Sequence, residues 1–421
     1  MPVVSDTVDL TAFNPFDPVV QQCPHPHYAA MRAAQPVFRV PGTDLYLVTR
    51  HDVVGRILRD PATFSNRFGG PSGPPGGGEL AERLREVSEE GYPQVSTLLT
   101  EDPPTHTAYR STINAAFSPR RIRELEPTVR AICEELLDRV VGVGTIDFVR
   151  QVAVPLPVRA IARVLDVPDD RLDDFKRWSD DSTVAIGAIV DDDTRVNAQR
   201  GIVEFQHYFA TQIDDRRVNP RDDVLSVLVQ ATIPDGGSTR PLDMPEMLSI
   251  VQQLLVAGNE TTTKMLTEGV RLLAEQPDVW SRLRVDPSRA ASVTEEVLRL
   301  SSPTQGMFRL VTADTEIDGV PIAAGSMLVV MFAAANRDPA VFPEPDAFDP
   351  GRPNHKEHLA FGRGVHFCVG APLARLEATV FFELLARGVG SIVLDPANTF
   401  EYEPSFVLRG LKRLDVELLP A

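Results

Sequence analysis

The residues best able to do chemistry lie near the C-terminal end of the 421-residue chain, where Phe361 to Gly370 read Phe-Gly-Arg-Gly-Val-His-Phe-Cys-Val-Gly. Just beyond, Leu373, Leu376, Val380 and Leu384 recur at helical spacing, and Pro372 suits a first helical turn. Cys368 therefore falls at or just before a helix N-terminus. Unpaired backbone N–H groups and the helix dipole there favour a thiolate over a thiol. Gly362, Gly364 and Gly370 let the backbone bend tightly and approach a flat or bulky group. Such a sulfur can be a metal ligand, a nucleophile or an inert buried thiol. Zinc is disfavoured, because the other cysteines, Cys23 and Cys133, are distant and form no Cys-x-x-Cys pair. A nucleophile needs a base, and nothing around nearby His366 completes a dyad.

Three other strings carry polar chemistry. His106 and Arg110 share a helix face, which by itself describes a solvated surface as well as a carboxylate site. Ala257-Gly-Asn-Glu-Thr-Thr falls mid-helix, where propensity alone would not put it. One reading makes Gly258 a packing contact and has Thr261 bond back to the carbonyl of residue 257. The other has Gly258 make room for a ligand, with Thr261 giving a hydroxyl and Glu260 a proton path. Glu296 and Arg299 also share a face, a pairing that is common on surfaces and worth little there.

A single protein thiolate on a metal is how thiolate-ligated haem iron is held. The Phe361–Gly370 pattern resembles the haem loop of the cytochrome P-450 superfamily, and Gly258-Asn-Glu-Thr resembles its oxygen-activation motif. Glu296-x-x-Arg299, with Arg352 downstream, resembles its structural Glu-x-x-Arg network. The strings occur in the family's order along essentially the whole chain. The resemblance implies a mainly α fold with a smaller β-rich region, a single haem domain over residues 1–421, and haem b (iron protoporphyrin IX) with Cys368 as the metal ligand. It also implies that His106, Arg110, Arg309 and His366 bind the propionates and that Glu260 and Thr261 are catalytic. The implied activity is a monooxygenase that inserts one atom of O2 into a small, mainly apolar organic substrate. Electrons would come from a separate iron–sulfur ferredoxin and its NAD(P)H-dependent reductase, docked by Arg363, Arg375, Arg120 and Arg121. The alternatives are a peroxide-driven peroxygenase, which would not need the Glu260–Thr261 pair, and a haem protein that binds a ligand without turnover.

The elements that must position these groups are also readable. Phe38–Val40 and Leu45–Thr49 read as a hairpin, and His51–Asp60 as a short helix. Phe68–Gly78, rich in Gly and Pro, is a surface connection or a flap over a pocket. A helix opens at Asp102-Pro-Pro-Thr with a proline and a capping threonine, and 119–217 is mostly helical. The apolar run Val184–Val190 is a buried segment or part of a substrate lid. Residues 244–276 form one long helix, and Arg309 stands in an extended segment. Val184, Val256, Met307 and Phe406 are the candidate pocket walls.

Composition bounds the rest. Lys and Arg number 42 against 59 Asp and Glu, a net charge of −17, which argues against nucleic acid as the main partner. Three cysteines fit a reducing compartment. The N-terminus has no signal-like pattern and no stretch reaches membrane-spanning length, so a cytoplasmic protein with no membrane partner is expected.

Overall fold

The structure, a computed structural model, describes residues 8–68, 78–185 and 190–421. Most of the flap candidate, residues 69–77, and most of the apolar run, residues 186–189, lie outside the described residues. The strands of the two larger sheets are β1 (Val37–Arg39), β2 (Leu45–Val48), β3 (Phe64–Ser65), β4 (Thr145–Asp147), β5 (Met307–Val311), β6 (Met327–Val330), β7 (Val389–Leu394) and β8 (Asp415–Pro420); two further hairpins pair Thr232–Asp235 with Ser238–Pro241 and Thr315–Ile317 with Val320–Ile322. One sheet runs β1-β2-β6-β5-β3, another β7-β8-β4. The expected hairpin is present, with Phe38 opposite Leu47. β2 and β6 pair in parallel, so the first sheet joins the N-terminal hairpin to the later part of the chain and sets β5, which carries Arg309, between β6 and β3.

Helices make the bulk of the fold. Those that position the site are α1 (Thr105–Ala116), α2 (Pro119–Asp138), α3 (Pro155–Val164), α4 (Leu172–Ala185), α5 (Met244–Glu275), α6 (Ala290–Ser301) and α7 (Ala371–Gly388). The mostly α architecture with small sheets is the one expected. α5 spans 32 residues, roughly 48 Å at 1.5 Å per residue. Its start is fixed by a capping box, in which the Glu246 N–H donates to Asp243 (2.9 Å) and the Asp243 N–H to Glu246 (2.8 Å). The Asp-x-x-Glu signature was present in the sequence. α1 corrects an expectation: Thr105 is its first residue and Pro104 stands at the cap without a side-chain bond. The turn is held instead by Asp102, which accepts from the Asn66 N–H (2.9 Å) and the Ser65 hydroxyl.

Two apolar cores flank α5. One packs α2, α6 and α7 against its C-terminal half through Leu266, Val270, Val297, Phe381 and Phe382. The other packs α1, α3 and α4 against its N-terminal half through Tyr109, Ile161, Trp178 and Leu254. Phe175, Trp178, Phe381 and Phe382 are essentially fully buried. Each such side chain is worth about 1.5–3 kcal/mol relative to exposure. α5 is thus held along its length, and a string in its middle is placed by the core rather than by propensity.

Candidate active site

The loop before α7 is shaped by close packing. Gly362 and Gly364 have φ of 67° and 76°. A Cβ at Gly364 would lie 2.2 Å from the Leu58 carbonyl oxygen, so this glycine serves a backbone contact with the helix after β2, not the approach of a ligand. The Cys368 N–H donates to the Phe361 carbonyl (2.9 Å). α7 opens with Gly370 at the cap and no side-chain capping bond, so its first N–H groups are left to the sulfur. Burial pushes the Cys368 thiol up, while the N–H groups of Gly370 and Ala371 and the charge of Arg110 pull it back. The N–H groups pull toward the thiolate but only partly offset burial, so the net shift favours the thiol, against the expectation from the helix N-terminus alone.

Four basic side chains from three regions of the chain gather beside this loop. The rings of His106 (α1) and His366 lie 4.0 Å apart, centre to centre. His106 is 1% exposed, and its Nδ1, like Nε2 of His366, is buried without a hydrogen-bond partner. Arg309, 4% exposed, donates only to the Phe308 carbonyl (2.6 Å) and forms no ion pair among the described residues. Arg110 donates to Asn114 (2.9 Å) and likewise lacks an acidic partner among the described residues. Burial pulls Arg309 down to about 10, and burial with the charges of His106, Arg309 and Arg110 pulls His366 to about 3. Buried cations without a carboxylate are costly unless an anion meets them. The donor set fits a group bearing two carboxylates, such as the propionates of haem.

On α5, the Thr261 hydroxyl donates to the Ala257 carbonyl (2.9 Å), which is the back-bonding alternative. Gly258 faces Ile161 of α3, but a Cβ there would meet that side chain at 3.4 Å, an ordinary contact, so packing alone does not call for a glycine. Ala257, one residue before it, is exposed in the middle of the helix. Glu260 accepts from Lys264 (2.5 Å), a partner the sequence reading did not name. Of the wall candidates, Val184, Val256 and Met307 are half-buried. Phe406 is 8% exposed and packs with Phe13 and Tyr28 in a separate core, its ring 5.5 Å from Phe16. That side chain is a core residue.

Two ionic networks brace the loop. Arg299 spends all five donors: on both oxygens of Glu296 (2.8 Å each) and on the carbonyls of Asn336, Pro345 and Ala347 (2.9, 2.7 and 3.0 Å). Arg352 joins through Nε to Glu296 (3.0 Å), the third member that the resemblance implied. The second network was missed. Glu295 accepts a bidentate pair from Arg375 of α7 (2.6 and 3.0 Å), and its Oε2 lies 3.0 Å from His358 Nε2. Arg375 also stacks over Phe361 at 4.5 Å. Its charge is therefore already partnered within the chain. Arg120 pairs with Glu124 and Arg121 with Asp222. Of the four arginines named for docking, Arg363 alone has no ion pair among the described residues, and Arg59 stands beside it.

A mainly helical chain with a loop cysteine at a helix N-terminus and buried basic groups beside it fits the haem-thiolate oxidoreductase class. The family model for cytochrome P450 matches residues 196–387. The steroid C26-monooxygenase of Mycobacterium tuberculosis is 33% identical over 94% of this chain and 93% of its own length. The vitamin D(3) 25-hydroxylase of Pseudonocardia autotrophica is 33% identical over 95% and 94%. The structure of cytochrome P450 CYP109Q5 from Chondromyces apiculatus superposes with a TM-score of 0.84 at 35% identity, covering 98% of this chain and all of that one. The chain belongs to the cytochrome P450 family, and it is an oxidoreductase of the monooxygenase kind. No helix among the described residues is long and apolar enough to cross a membrane.

Proposed function

We propose that residues 1–421 form one haem b domain that hydroxylates a small, mainly apolar organic substrate with O2. The convergence of Arg110, Arg309, His106 and His366 beside Cys368 carries this reading, since none of the four forms an ion pair among the described residues. Cys368 would bind iron as the thiolate, while the four basic groups hold the two propionates. The haem supplies oxygen activation, which a thiolate ligand favours. The chain's part is protonic and steric. Glu260 and Thr261 hold and move protons beside Ala257. Thr261 donates to Ala257 and keeps its lone pairs free to accept from water. Val184, Val256 and Met307 give apolar walls, and the relatives named for a steroid and for vitamin D(3) support an apolar ligand. A cytoplasmic ferredoxin with its NAD(P)H-dependent reductase would deliver electrons at the face carrying Arg363 and Arg59.

The test is the absorption band of the reduced, carbon-monoxide-bound protein. The native chain should show the thiolate position, and Cys368→His should move it to the imidazole position. A thiolate band that survives the substitution sinks the assignment.

A further inference from the structure

The acid and the alcohol on α5 point opposite ways. The Thr261 hydroxyl is bonded one turn back, to Ala257, and the Glu260 carboxylate one turn forward, to Lys264. Neither touches the other. Lys264 is 8% exposed, an unusual place for a lysine, and it is ion-paired with Glu260. An exposed lysine at this spacing would add a few tenths of a kcal/mol to a helix; a buried one must offset its own desolvation. For packing alone, an apolar side chain would serve better.

The position of Lys264 is set from outside its helix. A Cβ on Gly410 would lie 2.1 Å from Lys264 Cγ, 2.9 Å from Cβ and 3.0 Å from Cδ, so the backbone of this C-terminal turn lies directly against the lysine stem. The turn is pinned in turn. The Arg409 N–H donates to the Pro303 carbonyl (2.8 Å), its guanidinium donates to the carbonyls of Gln21 (2.6 Å) and Gln22 (2.9 Å), and Gly410 accepts from Glu403 (3.0 Å). The other charged groups facing the pair are Lys176 and Asp180 on α4, which are paired with each other, while Arg409 beside Gly410 is committed to Gln21 and Gln22.

We propose that Lys264, held against Gly410, is a positioning residue that latches the Glu260 carboxylate away from Thr261, so that Glu260 serves as a proton carrier only when it leaves the lysine. This rests on the reading of Glu260 as the proton path. A proton that Glu260 passes toward Thr261 is replaced from bulk water, which leaves the carboxyl unchanged over a cycle. Burial works to raise the Glu260 carboxyl, and Lys264 with Lys176 holds it below the usual range instead. Released from Lys264, Glu260 would take up a proton nearer neutrality.

Two readouts test this without knowledge of the substrate. The first is an infrared pH titration of the ferric protein, with the Glu260 band identified as the one lost in Glu260→Gln. Lys264→Met should move that titration up by about one to three pH units, the usual effect of an opposite charge. The second is the pH profile of reoxidation by air of the dithionite-reduced protein, whose proton-dependent limb should move the same way and vanish in Glu260→Gln. Gly410→Ala, which displaces the lysine without changing any charge, should shift both in the same direction by less, and it keeps the test open should Lys264→Met fail to fold. Unmoved titration and profile in both Lys264→Met and Gly410→Ala, with Glu260→Gln still altering reoxidation, overturn the latch and leave Glu260 as proton carrier. A reoxidation profile indifferent to Glu260→Gln overturns the proton-carrier reading itself, and the latch with it.

Discussion

Arg375→Met separates bracing from docking. Glu295, 5% exposed, is caught between Arg375 and His358. Burial works to raise its carboxyl, but hydrogen bonds from His358 and Arg375 hold it from the ordinary 4.5 down to about 2. A difference of that size corresponds to about 3 kcal/mol of native-state preference for the carboxylate, shared by the two partners. The Arg375 side chain is 33% exposed, and water screens part of its share. Its removal leaves a buried carboxylate with one partner, so the expected cost is about 2 kcal/mol. Urea unfolding at neutral pH should show it as a lower midpoint with an unchanged slope. The sign with pH follows from a depressed acid. The stabilisation is fully present above the unfolded value of 4.5 and is lost as pH falls toward 2, so the gap between native and variant holds at neutrality and narrows below about 4.5. An unchanged midpoint combined with slowed reduction by ferredoxin would refute this reasoning and return Arg375 to the docking face.

Arg363→Glu should slow reduction by ferredoxin several-fold, as should added salt in the native protein, with dithionite reduction unaffected; rates indifferent to both place the docking face elsewhere. Thr261→Ala should keep substrate binding but release hydrogen peroxide in place of product for each NADH consumed, and normal coupling would make the hydroxyl a helix back-bonder only. Burial pushes the Glu377 carboxyl up to about 8, so above the unfolded value of 4.5 the native state holds a proton that the unfolded chain has lost. Glu377→Gln should therefore gain stability relative to the native chain as pH rises from 4.5 to about 8, seen in parallel melts; a constant difference across that range would contradict it.

The sequence was most legible where chemistry and local geometry coincide. A cysteine three residues before a proline-led apolar helix announces its own surroundings. The loop glycines were legible as glycines but not in purpose, because the contact that requires Gly364 comes from Leu58, some three hundred residues away along the chain. The same distance hid the second network. Glu295 and Arg375 are separated by 80 positions, and neither residue type nor spacing says that they meet. Arg375 looked like a surface cation because no acid stands three or four residues from it on its own helix. Lys264 was overlooked for the opposite reason: a lysine four residues after a glutamate reads as a solvated helix pair, and only the burial imposed by the Gly410 turn makes it something else.

The saturation of Arg299 bears on how the molecule can change. Each of its five donors has one acceptor, in a planar arrangement that a lysine, with three donors on a single nitrogen, cannot reproduce. Every acceptor comes from α6 itself or from residues 336–347; α4 and α5, which carry the proposed walls Val184 and Val256, contribute none. Substitutions that reshape those walls can therefore accumulate, in a laboratory or a lineage, without loosening the joint beneath the thiolate loop. The scaffold divides into a part free to explore new ligands and a part with no tolerable intermediate to pass through.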